Sequence, residues 1–143
     1  MSYLWLIYAL LSAVFAALVA IFGKIGLKDL DTNTATAIRA IIMALFLVAV
    51  IIVQGKWNQV EVVLSNHKAL LFIILSGLAG AVSWLFYFLA LKKGSVSQIV
   101  PIDRLSIVFA LVFALVFLGE RINLTKGIGA LIVLIGAVLV ALG

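Results

Sequence analysis

The residues best suited to chemistry lie along one face of a long apolar segment in the second half of the chain. They recur at intervals of three or four residues and are Asp103, Ser106, Ala110, Phe113 and Phe117. The other faces of this segment are mostly Leu, Ile and Val. Charges that bracket such a run are costly unless they pair, reach the membrane interface or line a wet cavity. The pattern therefore predicts a helix beside a substrate path, with Asp103, Ser106 and Phe113 as substrate-binding residues.

A second face with donors and rings lies in the apolar segment 69–91. Its members share helical spacing and small, hydroxyl or aromatic side chains: Ser76, Gly80, Ser83, Tyr87 and Ala90, with Trp84 at the edge. Two interpretations are open, since such a stripe either packs against another helix or forms a cavity wall. Ser, Trp and Tyr together provide the donors and ring faces usual in a small-molecule site, which favours the cavity. On that interpretation Ser83, Trp84 and Tyr87 bind substrate.

Four charged residues are candidates for a charge pair or a gate. Arg39 lies inside the second apolar segment, where it either extends to the headgroups or faces inward and pairs with an acid from another helix. Asp103 is the acid that we expect to pair with Arg39 or Lys24 in one access state, that is, in one of the two conformations that open to opposite sides of the membrane. Glu120 follows the apolar run 105–118 at its far end.

The sequence lacks the residues and motifs of enzymes. It has no cysteine, one histidine, His67, and no H-E-x-x-H, G-x-S-x-G or P-loop motif. We therefore predict no catalytic residue, no metal site and no cofactor, and a protein that is not an enzyme. The Lys and Arg residues are scattered over short loops and helix ends, which is typical of membrane-flanking charge and does not indicate nucleic-acid binding.

The composition requires a bilayer around these elements. Of the 143 residues, 67% are hydrophobic and 10% are charged, and the mean hydropathy is +1.41. A water-soluble fold could not cover so much apolar surface, whereas a spanning helix needs about 20 apolar residues. We predict an all-α integral membrane protein, one domain over residues 1–143, with five transmembrane helices at about 3–22, 35–53, 69–91, 98–118 and 123–143.

The connections carry local signals. The polar segment 54–68 has helically spaced apolar residues and predicts a short interfacial helix. Asn33 or Thr34 is expected to cap the second spanning helix, and Ser95 or Ser97 the fourth.

The last two helices hold two further features. Pro101 falls in or just after the first turn of the fourth helix, where it is expected to tilt the helix entry and not to break the helix. Gly129 and Gly136, with Ala130 and Ala137 alongside, form a narrow small-residue face that predicts a packing or dimer seam.

The charges do not favour one orientation. Five spans place successive loops on alternate sides of the membrane, and each side receives four Lys or Arg residues when Arg39 and Arg104 are left out. Counting those two gives six against four, a weak bias that would put the N-terminus outside. The sequence thus permits both orientations of the same chain.

Three runs of the chain together match a known pattern: FGKIGLKDLDTNTATAIRA, SGLAGAVSWLFYFLALKKGSVSQIVPIDRLS and FLGERINLTKGIGALIVLIGAVLVAL. They resemble the EamA domain of the drug/metabolite transporter superfamily, above all its single-domain bacterial and archaeal members with five helices. The resemblance covers essentially the whole chain. Most members contain two such domains in inverted orientation and export amino acids, metabolites or drugs. The resemblance therefore implies that this chain is one repeat of an inverted-repeat transporter fold. Such a repeat assembles from two copies or with a related single-domain partner.

The expected function follows from these features together. We expect a multi-pass secondary transporter in the cytoplasmic membrane that exports small metabolites or drug-like compounds as an antiparallel homodimer. Its partners would be membrane lipid, a small-molecule substrate and a second copy. The first, third and fourth spanning helices would line the path, the fifth would pack or dimerise, and the second would cover the outside. The alternative is a non-transporting partner subunit or a lipid-handling membrane protein.

Overall fold

The structure, a computed structural model, describes residues 3–143 and is helical almost throughout. Its helices are α1 (Leu4–Gly26), α2 (Thr32–Val53), α3 (Asn58–Ser65), α4 (His67–Lys93), α5 (Val96–Asp103), α6 (Ser106–Leu118) and α7 (Leu124–Leu142). Over the described residues, five segments are long and apolar enough to cross a membrane, and α5 and α6 together make the fourth of them. The predicted all-α membrane fold with five spans is confirmed, and α3 occupies the segment expected to form a short connecting helix.

The apolar side chains lie mainly on the outside. Among the described residues, the buried apolar ones are Ala20, Leu27, Phe88, Leu91 and Ala137. Large residues in mid-helix are exposed, for example 65% of Leu45 and 67% of Phe46. Such a surface would be unstable in water but matches the hydrocarbon core of a bilayer.

Side-chain caps set the helix starts. The carboxylate of Asp31 accepts the backbone N–H and the hydroxyl of Thr34, each at 2.8 Å, so α2 begins at Thr32. The expected caps Asn33 and Thr34 are wrong, because the acid two or three residues earlier satisfies the free N–H group. The cap of α5 is Ser95, one of the two predicted caps, and it forms a capping box with Gln98.

Pro101 lies deeper in its helix than the sequence suggested. It is the sixth residue of α5, which ends two residues later at Asp103. Because proline has no N–H, the carbonyl group four residues earlier loses its helical donor. The N–H groups of Arg104 and Leu105 then donate to carbonyl groups three residues back, those of Pro101 and Ile102, and the helix resumes as α6. The fourth span is therefore two helices joined by a tight turn.

The chain divides into two compact units. One contains α2, α3 and α4 and comprises residues 26–92; the other contains α1, α5, α6 and α7, with residues up to 25 and from 93 onward. In the latter unit, α7 packs against α5 and α6. Ala137 of α7 is buried, whereas Gly129 and Gly136 are exposed. The predicted small-residue seam of α7 thus has a buried alanine side and an open glycine side.

Candidate ligand groove between α2 and α4

A groove of about 540 Å³ lies between α2 and α4, within the unit formed by residues 26–92. Its α2 wall includes Thr36, Arg39, Ala40, Met43, Ala44 and Leu47. Its α4 wall is Gly77, Gly80, Ala81, Trp84 and Leu85. The volume falls within the usual range for small-molecule sites, about 300–1,000 Å³.

The glycines of α4 open this groove and do not form a tight helix contact. Small residues four apart usually let two membrane helices approach closely. Here a Cβ atom added at Gly77 or Gly80 would meet no heavy atom within 4 Å. Consistently, α2 and α4 are not closely packed along their lengths. These observations favour a cavity wall at Gly80 and Trp84, whereas the other members of the predicted stripe do not line this groove: Ser76, Ser83, Tyr87 and Ala90.

Arg39 lies over an aromatic side chain at the polar end of the groove. Its guanidinium carbon is 3.7 Å from the centroid of the Trp84 ring and 5.2 Å from that of Phe88. Arg39 is the eighth residue of α2, so it lies about 10 Å along the helix at 1.5 Å per residue. Trp84 lies nine residues before the end of α4, about 14 Å from it, and the antiparallel helices therefore bring the two to similar depths.

The ring contact offsets only part of the cost of placing Arg39 at that depth. Insertion of an arginine at the helix centre costs about 2.5–3.5 kcal/mol. A cation–π contact returns about 2 kcal/mol where water is excluded and less where it is not. No carboxylate of residues 26–92 forms an ion pair with the guanidinium group. The remaining cost indicates that water or an anion accompanies Arg39.

An aromatic cluster fixes the position of Trp84. The Trp84 and Tyr87 rings meet edge to face at 5.5 Å, and Phe88 lies 5.5 Å from Trp84 and 5.9 Å from Tyr87. Phe88 is only 3% exposed and therefore anchors the cluster. Of the three residues predicted on this helix, Trp84 lines the groove, Tyr87 supports it through this ring contact, and Ser83 is exposed outside the groove lining.

The other predicted site residues belong to the unit that contains α5 and α6. Asp103 is the last residue of α5 and Ser106 the first of α6, so they flank the turn that follows Pro101. Phe113 is exposed and is the middle ring of a ladder with Phe109 at 6.5 Å and Phe117 at 5.9 Å. Glu120 is also exposed and lies beyond the end of α6. The roles of Asp103, Ser106, Phe113 and Glu120 stay predictions, as does the pairing of Asp103 with Arg39.

Two lysines hold loop carbonyl groups near the ends of the spans. Lys24 Nζ donates to the carbonyl oxygen of Gly94 at 2.8 Å, inside the unit of α1 and α5–α7. Lys92 Nζ donates to the carbonyl oxygen of Leu30 at 2.7 Å, inside residues 26–92. Lys24, which was predicted to pair with Asp103 or to gate, is thus engaged in a structural hydrogen bond, and its gating role stays a prediction.

The hydrogen bonds at the start of α2 change the titration of Asp31. The backbone N–H of Thr34 lowers the pKa of the Asp31 carboxyl, and the Thr34 hydroxyl lowers it further. Lys92 adds a smaller effect in the same direction. Hydrogen bonds to a carboxylate stabilise its charged form, so Asp31 stays ionised as the cap of α2.

The α2 wall is the part of the site that sequence reasoning missed, since α2 was expected to cover the outside. Its signal was available: Thr36, Ala40 and Ala44 recur every four residues, as the small residues of the first helix do. Thr36 gives the wall little free polarity, because its hydroxyl donates to the carbonyl oxygen of Thr32 at 2.7 Å. Within residues 3–143, no cluster of His, Asp or Glu side chains could hold a metal ion.

Comparisons with known proteins identify what the chain is similar to. A family model described as the EamA-like transporter family matches residues 3–142. An uncharacterized transporter from the cobO 3′ region of Sinorhizobium sp is 40% identical over 141 residues, which cover 99% of both chains. An uncharacterized protein of Methanocaldococcus jannaschii is 25% identical over 137 residues, 96% of each chain. No solved structure matches significantly.

Proposed function

This chain belongs to the EamA-like transporter family, and on that premise we propose that it is a secondary transporter that works as an antiparallel homodimer. It would export small metabolites or drug-like compounds across the cytoplasmic membrane. Family membership points to transport and away from enzyme catalysis. The observation that supports the homodimer is the five spans of the described residues, whose connecting segments bear four Lys or Arg residues on each side when Arg39 and Arg104 are left out.

Two copies of this chain in opposite orientations can form an inverted repeat of two five-span units. When two copies insert in opposite directions, their helices are related as the two halves of an inverted-repeat transporter are. Such halves frame a substrate site near the middle of the membrane and rock to expose it to either side. Since the loop charges give the positive-inside rule little to act on, neither orientation is strongly favoured.

The substrate path in this proposal uses residues of both units. Ser83, Trp84 and Tyr87 of α4 and Asp103, Ser106 and Phe113 of α5–α6 would contact substrate. The charged residues that would form or break pairs between access states are Lys24, Arg39, Asp103 and Glu120. The groove between α2 and α4 supports the assignment of Trp84, because Trp84 lines it and a cation lies at its end.

The orientation is tested with single cysteines, which is straightforward because the chain has none of its own. Gln59→Cys on α3 and Gly143→Cys at the end of α7 lie on opposite sides of the membrane in any one copy, and neither substitution alters the charge balance. We expect each cysteine to react partly with an impermeant maleimide from each side. If Gln59→Cys and Gly143→Cys each react from one side only, and from opposite sides, the antiparallel homodimer is disproved.

A charge-shift variant provides the control. Asn58→Lys with Gln59→Lys adds two positive charges to one side, and the positive-inside rule should then raise the fraction of copies that hold α3 on the inside and Gly143 on the outside. Asn58→Gln with Gln59→Asn changes the same positions without charge and should retain labelling from both sides. Gly143→Cys serves as the reporter in both variants.

A further inference from the structure

We propose that the groove between α2 and α4 binds a small organic monocarboxylate with an apolar body, whose carboxylate lies on the Arg39 guanidinium group. This names the substrate class of the transporter, and it rests on the proposed function only in treating the bound molecule as the transported one. The binding site itself follows from the groove, its charge and its lining.

The charge of the ligand follows from Arg39. A guanidinium carbon only 3.7 Å from the Trp84 centroid requires face-on stacking, because an edge-on group would hold its carbon farther away. The five N–H donors of arginine lie in the guanidinium plane, so stacking leaves them free to face a ligand. Within residues 26–92 no carboxylate takes them up. A carboxylate fits this fork with two parallel hydrogen bonds.

The single charge and the apolar body follow from the rest of the lining. Beyond Arg39 the groove continues along Met43, Ala44 and Leu47 on α2 and Gly77 on α4. None of these side chains offers a charge or a strong donor to a second polar group. Of the other polar lining residues on α2, Thr36 has already donated its hydroxyl hydrogen to its own helix, and Asn33 lies toward the start of α2, on the opposite side of Arg39 from this apolar part. A dianion, a cation or a sugar that reached into the apolar part would leave polar groups without partners there, which is costly.

The depth of the cation favours a free carboxylate over an anionic lipid. Arg39 lies about 10 Å along α2 from its first residue, and Trp84 holds it there. Lipid phosphates lie outside the hydrocarbon core, which is about 30 Å thick. A lipid headgroup would have to leave that layer to meet the guanidinium group, whereas a small free acid with its own apolar body enters with no such constraint.

The test uses Trp84 as its own reporter. Trp5→Phe with Trp57→Phe leaves Trp84 as the sole tryptophan of the three in the chain. The protein is placed in nanodiscs of phosphatidylcholine and titrated with 4-phenylbutyrate, and the emission of Trp84 is followed. The amide of the same acid has the same shape without the charge. We expect saturable binding of the acid, with the amide weaker by on the order of 10- to 100-fold.

Matched arginine variants separate a specific site from a general charge effect. Arg39→Gln should reduce the affinity for the acid to that for the amide, and Arg39→Lys should retain part of it, since lysine keeps the charge but not the fork. Arg121→Gln removes one positive charge from an exposed residue outside the groove and should change nothing. A thermal-shift titration of the same variants reports binding independently of tryptophan emission.

Three results would overturn the proposal: equal affinity for acid and amide, unchanged acid binding by Arg39→Gln, or an Arg39-dependent emission change on adding phosphatidylglycerol while 4-phenylbutyrate has no effect. The last would make a lipid the occupant. Failure here would leave the cysteine labelling of Gln59→Cys and Gly143→Cys unaffected, so the binding proposal and the antiparallel homodimer stand or fall separately.

Discussion

The two units of the molecule use small residues in opposite ways. In the unit of α5–α7, Ala137 is buried where α7 packs against its neighbours. In residues 26–92, Gly77 and Gly80 face open space, and the groove beside them contains a cation stacked on a ring. Small residues therefore give a tight contact at Ala137 and a cavity wall at Gly77 and Gly80, although the α7 glycines are open as well. What decides between them is whether the backbone of a second helix comes close.

The largest expected effect concerns the charges in each unit. Asp103→Asn and Arg39→Gln should each reduce the flux of labelled 4-phenylbutyrate into proteoliposomes by on the order of 100-fold, because either change leaves a charge at membrane depth without its predicted partner. Arg121→Gln, which removes a charge at an exposed loop position, should transport normally.

A charge swap sharpens this prediction. Asp103→Arg with Arg39→Asp restores the pair in reverse and should recover part of the flux if the two residues meet in one access state. Full transport by Asp103→Asn would show that this acid has no part in the cycle, and it would then be a residue of the α5–α6 turn only.

The next effect compares the buried alanine with the open glycine. Ala137→Leu adds atoms to a site that is only 6% exposed and should destabilise the fold by about 1–3 kcal/mol. Gly80→Leu places the same side chain into open space and should not destabilise the fold, since glycine is the less favourable residue in a helix interior by roughly 0.5–1 kcal/mol. Thermal unfolding in detergent measures both. Equal destabilisation would mean that α4 packs tightly and that the groove closes.

A smaller effect tests whether the ligand site extends beyond one unit. Trp84→Ala removes the ring under Arg39 and should weaken 4-phenylbutyrate binding by about tenfold, the value of a partly desolvated cation–π contact. Calorimetric titration measures this without a tryptophan reporter. Phe113→Ala is the matched change in the other unit. Unchanged binding in that variant would confine the site to the groove, and an equal loss would place Phe113 beside the ligand.

The smallest expected effect is the contribution of Asp31 to the pH dependence of stability of the unit formed by residues 26–92. Its folded-state pKa is lowered, so its contribution to stability is present above the unfolded pKa and is lost as the pH falls through the folded value. Asp31→Asn keeps a side-chain cap but cannot titrate. Its melting temperature should therefore fall less on acidification than that of the unmodified protein. An identical fall in both proteins would show that the Asp31 carboxylate contributes nothing to the acid sensitivity.

Local chemistry explains most of what could be predicted. Runs of about 20 apolar residues located all five spans, because a helix that crosses a bilayer needs that length and little else. Ser95 was a correct candidate cap because capping depends on a side chain and an N–H group a few residues away. The same local rule failed at α2, where four consecutive residues, 31–34, were all capable of capping and the structure uses Asp31. The position of Pro101 relative to the helix start decided its effect, and that start was misplaced by two residues.

The sequence by itself determined the solvent, the number of spans and the family, since each depends on composition or on extended similarity. Only the tertiary structure decided which side chains of different helices lie next to each other. Arg39 and Trp84 are 45 positions apart, and no periodicity in either helix reveals that the guanidinium group lies over that ring. The spacing of the small residues on α2 was visible in the sequence, but not whether they line a cavity or a contact, because that depends on the distance of the opposite backbone. That distance is set by how whole helices pack, which is a non-local property.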